Sequence, residues 1–336
     1  MEFQIATNNR KIQQEKREDV LTQEETIIPQ STNGTSFIKA NTSQVSLSHL
    51  RKECVVPVFA KDNEQTITHQ EFIESTMETI AQHFPNEFIE SPEIRTSHMI
   101  KGRTPDALHI PVKDLESQHK TIYYERMAFV SKIPGITTTI NGNKIMLSFG
   151  GVRAYNNENL YSRKKMENFQ FFIGFTNMVC LNLCVSSDGF KKDLLASSHS
   201  ELQQQIKEII LTFNLAVQVK GLEKLANDKL NESQFAQLLG KLRLYHHLPK
   251  KQKNNLPHLL LNDNHFNTVA RNYYRDKSFS NDSGEINLWK VYNLLTGANK
   301  SSYIDTFLDR GVNAFEFTQG ISKAINGDSQ YRWFLS

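Results

Sequence analysis

The stretch Phe169–Gly189, FQFFIGFTNMVCLNLCVSSDG, is the longest apolar run in the chain and decides the interpretation of the fold. Asn177 and Asn182 interrupt it, and a bilayer span needs about 20 mostly apolar residues. Its β-branched and aromatic content predicts two strands, or a strand and a bulge, buried on both faces of a sheet. Gly174 predicts a bulge or a close backbone approach, and the turn signal at 186–189 ends the run.

Strand-like segments precede this run. They are IRTSHMIKGR (94–103), TIYYERMAFVSKI (121–133) and ITTTINGNKIMLSFGGVRAY (136–155). Within the last segment, Asn141-Gly142-Asn143 predicts a tight hairpin, because only residues that tolerate positive φ fit such a turn. Thr68-His69-Gln70-Glu71 has the spacing of a capping box and predicts a helix that ends at Pro85. Cys54–Phe59 predicts a short edge strand.

After about Ser198 the apolar residues recur with helical spacing. One face is formed by Leu202, Ile206, Ile209, Ile210, Phe213 and Val217. A second helix is predicted to begin at the cap Asn231, and further helices are predicted over 264–276, 286–295 and 302–325. Strands followed by helices indicate an α+β fold, with a mainly antiparallel sheet in the first half and a helical second half packed against it.

Composition divides the chain into three regions. Residues 1–46 are polar and lack a sustained period, which predicts a mostly disordered arm. A sheet-rich region over 47–198 and a helical region over 199–336 follow, and these two are compatible with a single domain. With 336 residues and 38% hydrophobic residues, the chain can bury a substantial core.

Charge and cysteine content exclude few functions. The formal net charge of +3 permits an acidic partner such as nucleic acid without requiring one. Cys54, Cys180 and Cys184 are too few for a disulfide framework, which predicts a reducing, cytoplasmic location. The first residues lack the apolar segment of a signal peptide, and we expect no membrane partner.

The candidate metal and phosphate motifs are weak. Cys180 and Cys184 have no Cys or His pair with ligand spacing nearby, so we expect buried, reduced and metal-free thiols. His246 and His247 point apart on a helix and are typical of a helix C-terminus. Gly150-Gly151 lacks the Gly-Lys-Ser/Thr of a P-loop and predicts a bulge or turn. We therefore expect no cofactor and no metal, and the sequence indicates no catalytic residue.

An acidic pair leaves one enzymatic alternative open. Asp305 and Asp309 lie four residues apart on one predicted helix, close to Lys300 and Arg310. Such a pair could hold a divalent metal for catalysis, although it more often forms ion pairs on a solvated face. A non-enzymatic protein is favoured.

Tyrosines repeatedly stand close to arginine or lysine along the chain. Single-stranded nucleic acid is held by cations that neutralise phosphates and by aromatic faces that stack on bases, so this pattern predicts a binding surface. Strand tyrosines whose basic neighbours merely face water would give the same pattern. The residues of the predicted surface are Tyr124, Arg126, Arg153, Tyr155, Tyr161, Arg163, Lys164, Tyr274 and Arg275.

Longer segments carry a family resemblance. They are PEIRTSHMIKGRTPDA, KTIYYERMAF, GGVRAYNNENLYS, FFIGFTNMVCLNLC, FAQLLGKLRLYHHLP, NLWKVYNLLTGANKSSYIDTFLDRGVNAFEF and the terminal WFL. Through them, residues 47–336 resemble the Bacteroidetes domain of unknown function family 3871. NMVCLN and WKVYNLLT are also similar to segments of a broader group of phage and plasmid proteins. The resemblance implies a mobile-element setting and supplies no catalytic residues.

The leading hypothesis is a non-enzymatic protein that handles single-stranded nucleic acid on a mobile element, in replication, annealing or strand protection. One alternative is a metal-dependent enzyme acting on nucleic acid, with Asp305 and Asp309 as ligands. The other is a protein–protein interaction module that counters host defence, in which the polar arm folds onto a partner. The sequence leaves the oligomeric state open.

Overall fold

A computed structural model of the chain describes residues 36–54, 67–107, 109–155, 166–279 and 284–336. These residues all belong to one unit of the chain. Residues 1–35 of the predicted arm, and residues 55–59 of the predicted edge strand, lie outside the described residues. Within the described residues, no helix combines the length and the apolar character needed to cross a bilayer.

Most strands of the described chain fall in its first half. They are β1 (Ser43–Val45), β2 (Glu93–Thr96), β3 (Met99–Arg103), β4 (Lys120–Tyr124), β5 (Arg126–Ile140), β6 (Asn143–Ala154), β7 (Glu167–Asn177), β8 (Leu183–Cys184), β9 (Phe190–Ala196), β10 (Lys229–Asn231) and β11 (Glu285–Asn287). The main sheet has the order β1-β2-β5-β6-β7-β8, and β9 also pairs with β7. Every pair is antiparallel, which confirms the predicted sheet.

Helices dominate the second half, which confirms the α+β class. The described helices are α1 (Leu47–Glu53), α2 (His69–His83), α3 (His199–Thr212), α4 (Leu215–Asn227), α5 (Glu232–Tyr245), α6 (Lys250–Lys253), α7 (Asp263–Arg275), α8 (Leu288–Asn299) and α9 (Ile304–Ile325). Thr68 begins α2 with the predicted capping box, and Asn231 begins α5 with another.

The predicted hairpin joins β5 to β6. Asn141 and Gly142 adopt φ values of 48° and 79°, the left-handed geometry that favours Asn and Gly. Beyond the turn, β5 and β6 pair from Ile140–Asn143 to Arg126–Ala154, with a register shift between Lys132 and Thr137. The long ladder forms the centre of the sheet.

The stretch at 169–189 forms two strands, as predicted. β7 pairs with β8 after a turn in which Leu181 adopts a φ of 53°. A Cβ atom on Gly174 would lie 2.5 Å from the carbonyl oxygen of Cys184, so this glycine permits the close backbone approach that its position predicts. Asn177 and Asn182 donate side-chain hydrogen bonds of 2.9 Å to Asn293 on α8, which satisfies the polar groups that interrupt the apolar run.

Helices cover both faces of the sheet. On one face, the Phe72 ring of α2 lies 5.4 Å from Phe129 and 4.8 Å from Phe169 between ring centroids. On the other face, the first turns of α9 pack against Phe172 and Val130. The full burial of each such side chain contributes about 1.5–3 kcal/mol to the stability of the fold. The sheet is therefore the middle layer of the fold, and residues of its strands point into one core or the other.

Helix α8 is the central element of the helical half. Ten of its twelve residues are buried. It contacts α4, α7 and α9. Trp289 at its first turn is fully buried and donates from Nε1 to Asn143 Oδ1 over 2.9 Å, which ties α8 to the β5–β6 hairpin.

Two local predictions need correction. The face predicted from Leu202 to Val217 is split between two helices, because the Asn214 side chain accepts from the Val217 amide and begins α4. Val217 is consequently exposed. Gly150 and Gly151 form neither a bulge nor a turn but lie inside β6, where a Cβ on Gly150 would clash with the Phe129 carbonyl at 2.0 Å.

The folded region also includes residues before the predicted start at about residue 47. Phe37 and Ile38 are buried against the face of the sheet that α9 covers, and the backbone amides of Lys39 and Ala40 donate to the Lys300 carbonyl. β1 then pairs with β2. Residues 36–46 are thus part of the fold and do not belong to a disordered arm.

Candidate nucleic-acid interface

The structure divides the nine residues of the predicted surface into three groups. Tyr161, Arg163 and Lys164 lie in 156–165, outside the described residues. A second group is buried and a third is accessible to solvent. The second group comprises Tyr124, Arg153 and Tyr155, and the third comprises Arg126, Tyr274 and Arg275.

The buried group cannot stack on bases in this structure, which corrects the prediction for these three residues. Tyr124 and Tyr155 are each only 3% exposed. The Arg153 side chain forms an ion pair with Glu167, and its guanidinium lies 4.4 Å from the ring centroid of Tyr155. Tyr124 on β4, Arg153 on β6 and Tyr155 directly after β6 lie in a covered part of the fold. Their side chains therefore contact other parts of the protein, such as His49 and Glu167, instead of facing a ligand.

His69 completes this buried cluster. Its ring stacks on the Tyr123 ring, with 5.7 Å between centroids, and packs edge to face with the Tyr155 ring, with 5.4 Å between centroids. Its Nε2 donates a hydrogen bond of 2.8 Å to the Tyr124 carbonyl oxygen. Burial, and then the nearby Arg153 cation, lower the pKa of His69 to about 3. A neutral imidazole with so low a pKa is a poor general base near neutral pH. The cluster is a structural element of the fold.

Two of the accessible residues, Tyr274 and Arg275, lie in the last turn of α7, whereas Arg126 begins β5. Asn262 caps this helix, and Phe266, Val269 and Tyr273 form its buried side. On the opposite side, Arg271 and Arg275 lie one turn apart with Tyr274 beside them. Tyr274 is 76% exposed, the highest value among the large apolar side chains of the described residues. The helix thus presents one aromatic face next to two cations.

Helix α7 is held in place by α5. The two helices run antiparallel, because Phe235 at the start of α5 meets Tyr273 at the end of α7, with 4.8 Å between ring centroids. At the other end, Arg243 Nε donates to Asp263 Oδ1 over 2.6 Å. Contacts at both ends fix the orientation of the exposed side of α7.

Positive charge concentrates around this helix pair. The segment 241–277 contains eight Lys and Arg residues and two Asp, whereas the whole chain has a net charge of only +3. The short helix α6 contributes three lysines, of which Lys253 lies 4.7 Å from the Tyr245 ring centroid. Lys241 lies 4.6 Å from the Trp333 ring centroid. The remainder of the chain is net negative, so this segment is the basic part of the molecule.

A serine and a histidine meet at the start of α7 but do not form a nucleophile and base. His265 Nδ1 accepts from the Asn262 amide over 3.1 Å, so the proton resides on Nε2, which donates to Ser302 Oγ over 3.0 Å. Ser302 Oγ also accepts from Arg310 and donates to Asn299 Oδ1. A histidine with this tautomer cannot take the serine proton. The network anchors α7 to the α8–α9 junction.

The acidic pair proposed for metal binding is divided between two cations. Asp309 Oδ2 lies 2.8 Å from Lys192 Nζ, and Asp305 Oδ1 lies 3.9 Å from an Arg126 nitrogen. Within the described ranges, no group of three His, Cys, Asp or Glu side chains is placed to hold a metal ion. This geometry favours the ion-pair interpretation of Asp305 and Asp309.

The cysteines and the paired histidines have ordinary structural positions. Cys54 and Cys184 are buried, Cys180 is half-buried on the β7–β8 turn, and all three are free thiols. Burial raises the pKa of the Cys180 thiol. His246 is the C-cap of α5, as the helix-terminus interpretation predicts.

Sequence reasoning missed two residues beside the accessible group. Arg271 stands three residues before Tyr274, a helical spacing that the search for adjacent tyrosine and arginine residues does not detect. Tyr303, 64% exposed, has no basic neighbour in sequence, yet its ring centroid lies 5.9 Å from the Arg126 guanidinium. Only the folded chain brings this pair together.

Comparison with known families identifies a matching family model. The family model described as "Domain of unknown function, B. Theta Gene description (DUF3871)" matches residues 18–335, nearly the whole chain. The match begins before residue 47, where the resemblance in the sequence starts. No curated protein and no solved structure matches the chain.

Proposed function

The chain belongs to the DUF3871 family of domains of unknown function, and from its surface we propose that it is a non-enzymatic protein that binds single-stranded nucleic acid. The observation that carries this proposal is the exposed side of α7, where Tyr274 lies between Arg271 and Arg275. The basic segment 241–277 surrounds it.

The chemistry of these side chains fits an unpaired strand. A base that is not stacked in a duplex offers its face to Tyr274, and such stacking contributes about 1–3 kcal/mol per base. Arg271 and Arg275 neutralise flanking phosphates and release counterions. A duplex buries its base faces and would use only the cations, so we expect a preference for single strands with little dependence on sequence.

The mobile-element setting implied by the sequence resemblance gives this activity a use. A protein that coats unpaired strands without cutting them serves replication, annealing or protection of transferred strands. We place it in the cytoplasm, where free thiols such as Cys54 and Cys184 persist. The identity of the neighbouring genes tests this part of the proposal, since genes of unrelated chromosomal pathways would contradict it.

Fluorescence anisotropy with the full-length protein tests binding. The probe is a labelled mixed-sequence oligonucleotide of about 12 nucleotides, compared with the same sequence as a duplex. We expect Tyr274→Ala to weaken binding of the single strand by about 5- to 150-fold. Arg271→Ala with Arg275→Ala is expected to lower the salt slope by about 0.7 per lost phosphate contact.

Matched controls exist in the chain. Phe88 is 72% exposed, so Phe88→Ala removes an exposed aromatic ring elsewhere. Lys220 and Lys224 lie one turn apart on α4 and are both exposed, so their double alanine variant removes two helix cations. The absence of binding at micromolar protein and low salt would refute the proposal in favour of a protein–protein module. Metal-dependent cleavage of the probe would instead support the nuclease alternative.

A further inference from the structure

Tyr303 is an exposed aromatic side chain at the junction of α8 and α9. It is the N-cap residue of α9 and is followed by the buried Ile304. Its side chain is 64% exposed, and its hydroxyl makes no hydrogen bond to the described residues. One face of its ring lies over the guanidinium of Arg126, 5.9 Å from the ring centroid. The ring is thus supported from the protein side and accessible from the solvent side.

Arg126 has hydrogen-bonding capacity that the described part of the protein does not use. Its Nε is buried and has no hydrogen-bond partner among the described residues. Carboxylate oxygens of Glu125 and Asp305 lie 3.9 Å from its terminal nitrogens, beyond hydrogen-bonding distance. The two carboxylates offset the charge of the guanidinium, so this position does not attract phosphate as a free cation would. The cation instead supports the Tyr303 ring.

The position of Tyr303 relates it to α7. Its neighbour Ser302 hydrogen-bonds to His265 in the first turn of α7, while Tyr274 lies in the last turn. Tyr274 is nine positions after His265, which corresponds to about 14 Å along the helix at 1.5 Å per residue. That length equals roughly four nucleotides at the 3.4 Å rise of stacked DNA. Tyr303 is therefore tied to the start of α7 and Tyr274 lies near its end, on the side of the helix turned away from His265.

We propose that Tyr303, supported by Arg126, is a second base-stacking position for the strand that Tyr274 binds. This inference rests on the proposed function and gives the interface two aromatic contacts, one beside each end of α7. A strand that reaches both contacts gains the second stacking interaction as an intramolecular step. A strand too short to span α7 occupies one contact at a time.

The test combines a length series with a salt titration on the full-length protein. Labelled oligonucleotides of three and about 12 nucleotides are titrated against wild type, Tyr303→Ala, Tyr303→Phe and the control Phe88→Ala. We expect Tyr303→Ala to weaken binding of the long strand by about 5- to 150-fold and to leave the salt slope unchanged, because no phosphate contact is lost. Binding of the trinucleotide, measured at a protein concentration that saturates the Tyr274 contact, is expected to change less than twofold.

Tyr303→Phe keeps the ring and is expected to retain wild-type binding of the long strand. Unchanged melting temperatures establish that both variants fold. If Tyr303→Ala behaves like Phe88→Ala while Tyr274→Ala weakens binding, the second contact is refuted and the proposed function stands. A reduced salt slope in Tyr303→Ala would also overturn the inference, since it would indicate a phosphate contact. If no oligonucleotide binds wild type, both proposals fail together.

Discussion

Two regions of this protein share a sequence pattern and differ in environment. Arg153 on β6 and Tyr155 directly after this strand are buried, and the arginine is paired with Glu167 and lies over the tyrosine ring. On α7, Tyr274 and Arg275 are exposed on the side that faces away from α5. The first pair is enclosed within the protein, whereas the second is open to solvent.

The difference follows from how each element is covered. A strand in the middle layer of a fold is enclosed on both faces, so even its polar residues must find partners within the protein. A helix packed against one neighbour keeps a solvent side, and residues such as Arg271 and Tyr274 on that side stay free to bind. A tyrosine beside an arginine thus belongs to the core in one region and to the surface in the other, where we propose that it contacts a strand.

The largest expected contrast is between the two arginines. Arg153→Ala leaves the Glu167 carboxylate buried without its main partner, and we expect a loss of about 3–5 kcal/mol in the free energy of unfolding. Arg275→Ala on the exposed side of α7 is expected to change it by less than about 0.5 kcal/mol. Urea denaturation of both variants measures the contrast. The double variant Arg153→Met, Glu167→Gln is expected to lose less of the free energy of unfolding than Arg153→Ala. An equal loss would argue that the ion pair is not the cause of the destabilisation.

A second contrast compares the tyrosines. Tyr155→Ala removes a buried ring that contacts His69 and Tyr123. We expect the free energy of unfolding to decrease by about 3 kcal/mol. Tyr274→Ala removes an exposed ring and is expected to alter binding without altering stability. Thermal denaturation separates the two effects. Equal destabilisation by both substitutions would mean that Tyr274 is a packing residue.

Acid is expected to weaken the buried cluster in a graded manner. The folded-state pKa of His69, about 3, lies below its ordinary value of 6.5. Between these pH values the unfolded chain binds a proton at His69 that the folded chain does not bind. The contribution of His69 to the free energy of unfolding is therefore complete above pH 6.5 and decreases as pH falls, by up to about 1.4 kcal/mol per pH unit. His69→Gln is expected to show a shallower decrease between about pH 7 and pH 5 in urea denaturation. A decrease as steep as that of wild type would contradict the assignment to His69.

The smallest expected effect comes from exchanging arginine for lysine. A phosphate contact at Arg275 requires a cation, so Arg275→Lys is expected to leave the salt slope of oligonucleotide binding unchanged. The buried Arg153 needs the planar guanidinium to lie over the Tyr155 ring, so Arg153→Lys is expected to lower the melting temperature. Anisotropy and thermal denaturation provide the two measurements. A marked loss of affinity in Arg275→Lys would point to a bidentate contact instead.

Features determined by a few adjacent residues could be predicted from the sequence. Asn141 and Gly142 form the predicted turn because their backbone freedom is a local property. Thr68 and Asn231 cap helices because the groups that they bond lie within three residues. The two-strand interpretation of 169–189 succeeded because Asn177 and Asn182 divide the apolar run where β7 and β8 are separated by a turn.

Features determined by distant contacts could not be predicted in this way. The burial of Tyr124 and Tyr155 depends on α2, which supplies His69 from far along the chain. The Arg126–Tyr303 pair joins β5 to the start of α9, and no local pattern connects them. The sequence therefore placed Tyr274 and Arg275 on a helix but did not reveal that Tyr124, Arg153 and Tyr155 are buried.

The enclosure of α8 has a consequence for synthesis. The sheet strand β7 ends at Asn177, yet α8 begins only at Leu288, roughly 110 residues later. At about 5–20 residues per second, a ribosome needs roughly 5–20 s to add that length, and until then the apolar surface that α8 covers has no partner. Ribosome-bound chains arrested before α8 should therefore recruit chaperones, and chains arrested after α9 should not. Helices α8 and α9 thus complete the fold late in synthesis, so termination before the end of α9 should leave an aggregation-prone sheet.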